Sequence, residues 1–148
     1  MFELGTDGPS VILTGLDGSE SSWRAAAYAA GLARRQGSLL AIGYIQPYGI
    51  AGASPVTAAA SADVGRELAE GLEREIREAV QRRPEAERLR WEFHTRRGDA
   101  YNGLVELAKE LRADAVVIGA SEKAGHRFLG SVAIRLVKAG LWPVTVVP

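Results

Sequence analysis

The sequence predicts an α/β fold in which a parallel sheet carries helices on both faces. Three observations point there. Short apolar, β-branched runs alternate with longer helical patterns along the whole chain. The alternation is regular and closes on a final apolar run, so the order reads β-α-β-α-β-α-β-α-β. No internal repeat interrupts it. Right-handed crossovers between parallel strands then make the sheet doubly wound. The length of 148 residues suits one hydrophobic core. Residues 1–9 read as a lead-in and residues 10–148 as one domain.

Val11-Ile12-Leu13 is the first strand, and Gly15, Asp17 and Gly18 turn the chain after it. Ser19 to Gln36 follows as a helix. A serine at Ser19 or Ser21 can cap it, its interior is alanine-rich, and Gly37 stops it behind Arg34 and Arg35. Ser38 to Ile45 is too short and apolar for a helix and reads as the second strand. Residues 46–62 are rich in Gly, Ala, Ser, Thr and Pro and read as a mobile surface loop.

From Asp63 to Arg83 the helical pattern is strong. Val64, Leu68, Leu72, Ile76 and Val80 repeat at four-residue spacing and predict one apolar stripe. Glu70 with Arg74, Glu73 with Arg77 and Glu78 with Arg82 are paired charges on solvated faces. Leu89, Trp91, Phe93 and Thr95 alternate with Arg90, Glu92, His94 and Arg96, as expected of a half-buried edge strand. This places His94 on the solvent side. Gly98-Asp99 opens the next helix, with Asp99 as its cap and Leu104, Leu107, Ala108 and Leu111 as its buried stripe. Ala115-Val116-Val117-Ile118 is the fourth strand, and residues 120–129 read as a loop. Gly130-Ser131 opens a helix carrying Val132, Leu136 and Val137, and Val144 to Val147 is the last strand.

Composition excludes several function classes. Lys plus Arg equals Asp plus Glu at 18 each, so no global field draws the chain to nucleic acid or to a membrane surface. Trp23, Trp91 and Trp142 are scattered without a basic stripe and read as packing anchors. There is no cysteine, which excludes disulfides, thiol catalysis and zinc-thiolate sites. No apolar run reaches the ~20 residues of a membrane span. The N-terminus lacks the pattern of a signal peptide, so a cytoplasmic location is the expectation.

Ligands of such folds sit at the C-terminal ends of strands, near the reversal in strand order. The segment Gly119 to Ser131, between a buried strand and a helix, is the strongest candidate. Gly130 lets backbone approach a ligand, Ser131 offers a hydroxyl, and the free amides of the helix start favour an anion. Lys123, His126 and Arg127 outnumber Glu122 there. The alternative is that Gly125 and Gly130 only make turns and Ser131 only caps. Asp17 is placed to accept from an adenine amine or a ribose hydroxyl; an Asx turn is the alternative. No catalytic constellation emerges: Ser121, Ser131 and His126 lack a nucleophile elbow and an orienting acid.

These segments together resemble the universal stress protein family. Val11-Ile12-Leu13 with Asp17-Gly18-Ser19 is similar to its first strand and turn. Gly98-Asp99, Leu107-Ala108 and Ala113 to Gly119 resemble its middle signature. Gly130-Ser131-Val132-Ala133 and Trp142 to Val147 resemble its closing helix and strand. The resemblance runs from about residue 10 to residue 148 and implies a three-layer sandwich around a five-stranded parallel sheet of order 3-2-1-4-5.

It further implies a stress-response module that binds ATP or another adenine nucleotide, with Mg²⁺ accompanying it. Adenine would lie by Asp17 and by the backbone at the end of the second strand, near Tyr44, and the phosphates by Gly119, Gly130 and Ser131, with Lys123 and Arg127 as the cations that compensate for a departure from the family's loop. The family's phosphate loop has the pattern Gly-x2-Gly-x9-Gly-Ser/Thr. Here Glu122 stands at the second glycine, and the stretch to Gly130 is two residues shorter. The alternative expectation is therefore a nucleotide-free dimeric interaction protein of the same fold. The missing general base and metal-ligand cluster leave at most slow ATP hydrolysis. The resemblance also implies a homodimer paired through the last strand, Val144, Thr145, Val146 and Val147, whose apolar edge would otherwise be unpaired.

Overall fold

The computed structural model describes residues 8–49, 52–123, 126–128 and 130–148. Most of the lead-in, residues 1–7, lies outside them. The main sheet comprises β1 (Val11–Gly15), β2 (Leu39–Gln46), β3 (Arg90–Arg97), β4 (Ala115–Gly119) and β7 (Val144–Val147). Its order is β3-β2-β1-β4-β7 and every pairing is parallel. In terms of the five main strands this is the expected 3-2-1-4-5. The helices are α1 (Glu20–Gln36), α2 (Pro55–Gln81), α3 (Ala100–Glu110) and α4 (Ser131–Ala139), with a 3-10 turn at Pro84–Arg88.

The period-two alternation of the strands splits the core into two layers. Ile12, Leu40, Ile42 and Val117 face α1 and α2, packing against Ala25, Ala29, Ala33, Leu72 and Ile76. Leu13, Ala41 and Val116 face α3 and α4, packing against Leu104, Leu107 and Leu136. Ala25, Ala29 and Ala33 of α1 are completely buried. Their small size lets the helix axis approach the sheet, so a larger side chain there would overpack the layer.

Three elements differ from their sequence reading. Residues 46–62 do not form one loop, because α2 begins at Pro55. Ser54 caps it by accepting from the Thr57 amide at 3.2 Å, and Pro55 occupies the first turn. The alanines that follow are strong helix formers that bury little, so this helix carries no apolar stripe to mark its first turns in the sequence. Residues 120–129 contain a second, two-stranded sheet, β5 (Ser121–Lys123) against β6 (His126–Phe128), antiparallel. The α2 stripe is also rotated. Val64 and Leu68 are exposed, whereas Gly65, Ala69, Leu72 and Ile76 are buried. A row at four-residue spacing drifts by about 40° per step on a 3.6-residue helix, so it cannot stay on one face for five members.

Other readings agree with the structure or shift slightly. Ser19 caps α1 and Asp99 caps α3, accepting from the Asn102 amide at 3.0 Å. Glu73 and Arg77 pair at 3.0 Å. His94 is half-buried instead of solvent-exposed, with Nε2 2.9 Å from Glu92 Oε2. Val137 of α4 is exposed. Among the described residues no helix is long and apolar enough to cross a membrane.

Candidate functional site

The strand order reverses between β1 and β4, because β1 crosses over to β2 on one side and β4 lies on the other. The connections leaving these strands diverge there and leave a cleft of about 480 Å³. Its walls come from the turn after β1, the ends of β2 and β4, and the starts of α1, α3 and α4. Three helix N-termini thus converge on one space. Each presents amides without intrahelical partners and the positive end of its dipole.

Asp17 lies at the α1 side of the cleft. Its Oδ1 accepts from the Ser19 amide at 2.9 Å, which is the Asx turn. Gly18, between them, has φ +88°, a conformation that suits glycine. Ser22 Oγ accepts from the Asp17 amide at 3.3 Å and donates to the Ser19 carbonyl at 2.9 Å. Burial pushes the Asp17 carboxyl up, but hydrogen bonds with Ser19 and Ser22 outweigh it and hold the pKa below its usual value. The group is therefore a carboxylate acceptor at neutral pH.

Tyr44 does not line the cleft. Its ring is buried in the layer beneath α1 and α2, and its phenol is raised by burial and then by the Asp17 charge. The neighbours Gly43 and Ile45, pointing to the opposite face, supply the β2 wall.

Gly119 and Gly130 both line the cleft, and both have a packing reason to be glycine. A Cβ on Gly119 would stand 2.5 Å from the Ser21 carbonyl oxygen. A Cβ on Gly130 would stand 2.9 Å from Ser121 Cβ. Gly130 is the N-cap residue of α4, and Ser131 is its first helical residue. The amides of Ser131, Val132 and Ala133 therefore open toward the cleft, which all three residues line. Lys123 and Arg127 sit on the β5–β6 hairpin; Glu122 is opposite Arg127 and Lys123 opposite His126. The side chains of Glu122, Lys123 and Arg127 lie outside the described residues.

Comparison with known proteins fits this geometry. The model of the universal stress protein family matches residues 10–148. The chain belongs to the universal stress protein family. Universal stress protein UspA from Lactobacillus plantarum has a similar structure, with TM-score 0.80 at 20% identity over 94% of this chain and 97% of that one. A universal stress protein solved in complex with cAMP gives TM-score 0.69 at 26% identity, covering 95% of this chain and 97% of that one. The universal stress protein from Archaeoglobus fulgidus in complex with dAMP gives TM-score 0.58 at 17% identity, covering 97% and 100%. No curated protein sequence matches.

Within this family fold, sequence reading overlooked part of the site. Ser21 and Ser22 are buried hydroxyl residues in the cleft wall, and Ala100 and Leu104 bring α3 into it. The Gly98-Asp99 cap was the available signal for α3, since it starts that helix at the same end of the sheet. The β7 residues Val144 to Val147 lie away from this cleft at the far edge of the sheet, paired on one side with β4.

Proposed function

We propose that this universal stress protein is a binding module for an adenine nucleotide, seated in the cleft between β1 and β4. The observation that carries the reading is the convergence of three helix starts on a cleft that also holds the Asp17 carboxylate. Asp17 would accept from the exocyclic amine or a ribose hydroxyl. The amides of Ser131, Val132 and Ala133 would bind phosphate oxygens, and Gly130 lets them approach. Two structural relatives described in complex with cAMP and dAMP support adenine as the base. Among the described residues no group of three His, Asp or Glu side chains forms a metal cluster, so Mg²⁺ would arrive on the ligand's phosphates. Binding, without turnover, is the activity this arrangement serves.

The test is to denature freshly purified protein and identify any small molecule released by absorbance near 260 nm and mass spectrometry. Calorimetry with AMP, ADP and ATP, each with and without Mg²⁺, follows on the stripped protein. No heat with any of them at millimolar concentration would remove the reading.

One observation favours the second reading, a nucleotide-free interaction protein. Packing against Ser21 and Ser121 accounts for both family-matching glycines without a ligand. In either reading the protein works as a homodimer, joined through the outer edge of β7. Val144, Val146 and Val147 of that edge are only partly covered by their own chain.

A further inference from the structure

Among the described residues of the cleft wall, the charged ones are Asp17 and Glu20, both acidic. A phosphate held by the α4 amides would gain from a nearby cation, and Arg135, outside the lining itself, is held by the neighbours of a lining residue. It lies four residues after Ser131 on α4, on the same helix face. Helical side chains lean toward the N-terminus of their helix, which for α4 is the cleft end. The Arg135 guanidinium stacks 3.9 Å above the Tyr101 ring, and its Nη1 is 3.6 Å from Asp99 Oδ2. Asp99 and Tyr101 flank Ala100, which is part of the wall. The positive charge is thus held beside the cleft by the two neighbours of a lining residue.

That hold is loose enough to exchange. Asp99 Oδ2 already accepts from the Asn102 amide at 3.0 Å. The Arg135 and Asp99 side chains are 51% and 52% exposed, so water weakens their attraction. A guanidinium fork pairs better with a phosphate than with a single, already engaged carboxylate oxygen. Arg24, on the α1 side, is committed elsewhere: its Nε donates to the Pro148 carbonyl at 2.8 Å and Nη1 lies 3.6 Å from Glu20.

We propose that Arg135 is the phosphate-recognising cation of the cleft. It turns on the Tyr101 ring, from Asp99 toward the phosphate of a nucleotide seated on the α4 amides. The inference rests on the nucleotide reading above and adds to it the residue that distinguishes nucleotide from nucleoside.

The experiment titrates AMP and adenosine into wild type, Arg135→Ala, Arg135→Lys and Asp99→Asn by calorimetry, with a thermal melt of each variant. Arg135→Ala is expected to weaken AMP by about tenfold or more and to leave adenosine within about twofold. Arg135→Lys should keep part of the AMP affinity, since the charge remains without the fork. Asp99→Asn retains a capping side chain and removes the competing charge, so AMP should bind as well or better. An equal loss of AMP and adenosine in Arg135→Ala and Arg135→Lys would reduce Arg135 to a structural tie and overturn the proposal. So would unchanged AMP binding. If wild type takes up neither compound, the nucleotide reading itself fails and Arg135's role goes with it, a result distinct from both.

Discussion

The α-carbon of Gly119 faces the backbone of Ser21 so closely that a Cβ built there would lie 2.5 Å from the Ser21 carbonyl oxygen and 2.9 Å from the Ser22 amide nitrogen. The obstacle is main chain, in the first turn of a helix, so no side-chain rotation relieves it. Gly119→Ala should therefore push α1 away from β4 and destabilise the protein by about 1–3 kcal/mol, the usual cost of overpacking. Because Ser19 to Ser22 line the cleft, the same displacement should weaken ligand binding. Urea denaturation measures the first effect. An unchanged midpoint would mean that the helix start yields freely.

Thr14 is completely buried in β1, and its Oγ1 is a buried side-chain oxygen without a hydrogen-bond partner. It sits opposite Ile42 and Val117 in the strand register, among apolar neighbours. A buried hydroxyl with no partner costs about 1–3 kcal/mol. Thr14→Val keeps the shape and the β-branched fit to the strand while removing that cost. The expected outcome is a gain of about 1 kcal/mol, or a rise of about 2–4 °C in Tm for a chain of this size. A fall in Tm would show that the hydroxyl is satisfied in solution.

What the sequence disclosed follows from how local each feature is. The strands around Ile12, Ile42 and Val117 are continuous apolar runs because both their faces are buried, and no tertiary information was needed to find them. The caps Ser19 and Asp99 each bond three residues ahead, within the reach of a sequence window. The start of α2 was missed although Ser54-Pro55 is a cap followed by a first-turn proline, because the alanines beyond it carry no apolar period. Val64 and Leu68 were misplaced because spacing alone does not say which face meets the sheet. The close approach of Gly119 to Ser21 and the stacking of Arg135 on Tyr101 join elements far apart in the chain. Such contacts leave no trace in spacing.

Asp17 sets a pH dependence whose sign can be worked out. Its folded pKa lies below the value of 3.8 for the free side chain. The unfolded chain therefore binds the proton more readily than the folded one. The stabilising contribution is fully present above the unfolded pKa and is lost as pH falls through the folded pKa. Asp17→Asn keeps an acceptor for the Ser19 amide but removes the charge. The difference in urea midpoint between wild type and variant should be constant above about pH 5 and shrink below about pH 4. A difference that grows on acidification would reverse the assignment.

The outer edge of β7 offers a test of self-association that spares the fold. On the inner edge, the Val116 amide donates to the Pro143 carbonyl at 2.9 Å and the Ala120 amide to the Val147 carbonyl at 2.7 Å. Residues 143 and 147 therefore face β4, and by the alternation of a strand so does Thr145, whereas Val144 and Val146 turn their backbone groups outward. Proline at position 146 would delete an outward N–H and leave every bond to β4 in place, a setting in which an edge strand accepts proline. If two copies join by pairing their β7 edges, Val146→Pro should convert the dimer to a monomer in light scattering while circular dichroism stays unchanged. Val137 and Leu141, exposed next to this strand on α4 and the turn after it, would then become uncovered, and binding of a hydrophobic dye should rise with dissociation. A wild-type protein that is monomeric throughout, or a variant that stays dimeric, would place any association on another surface.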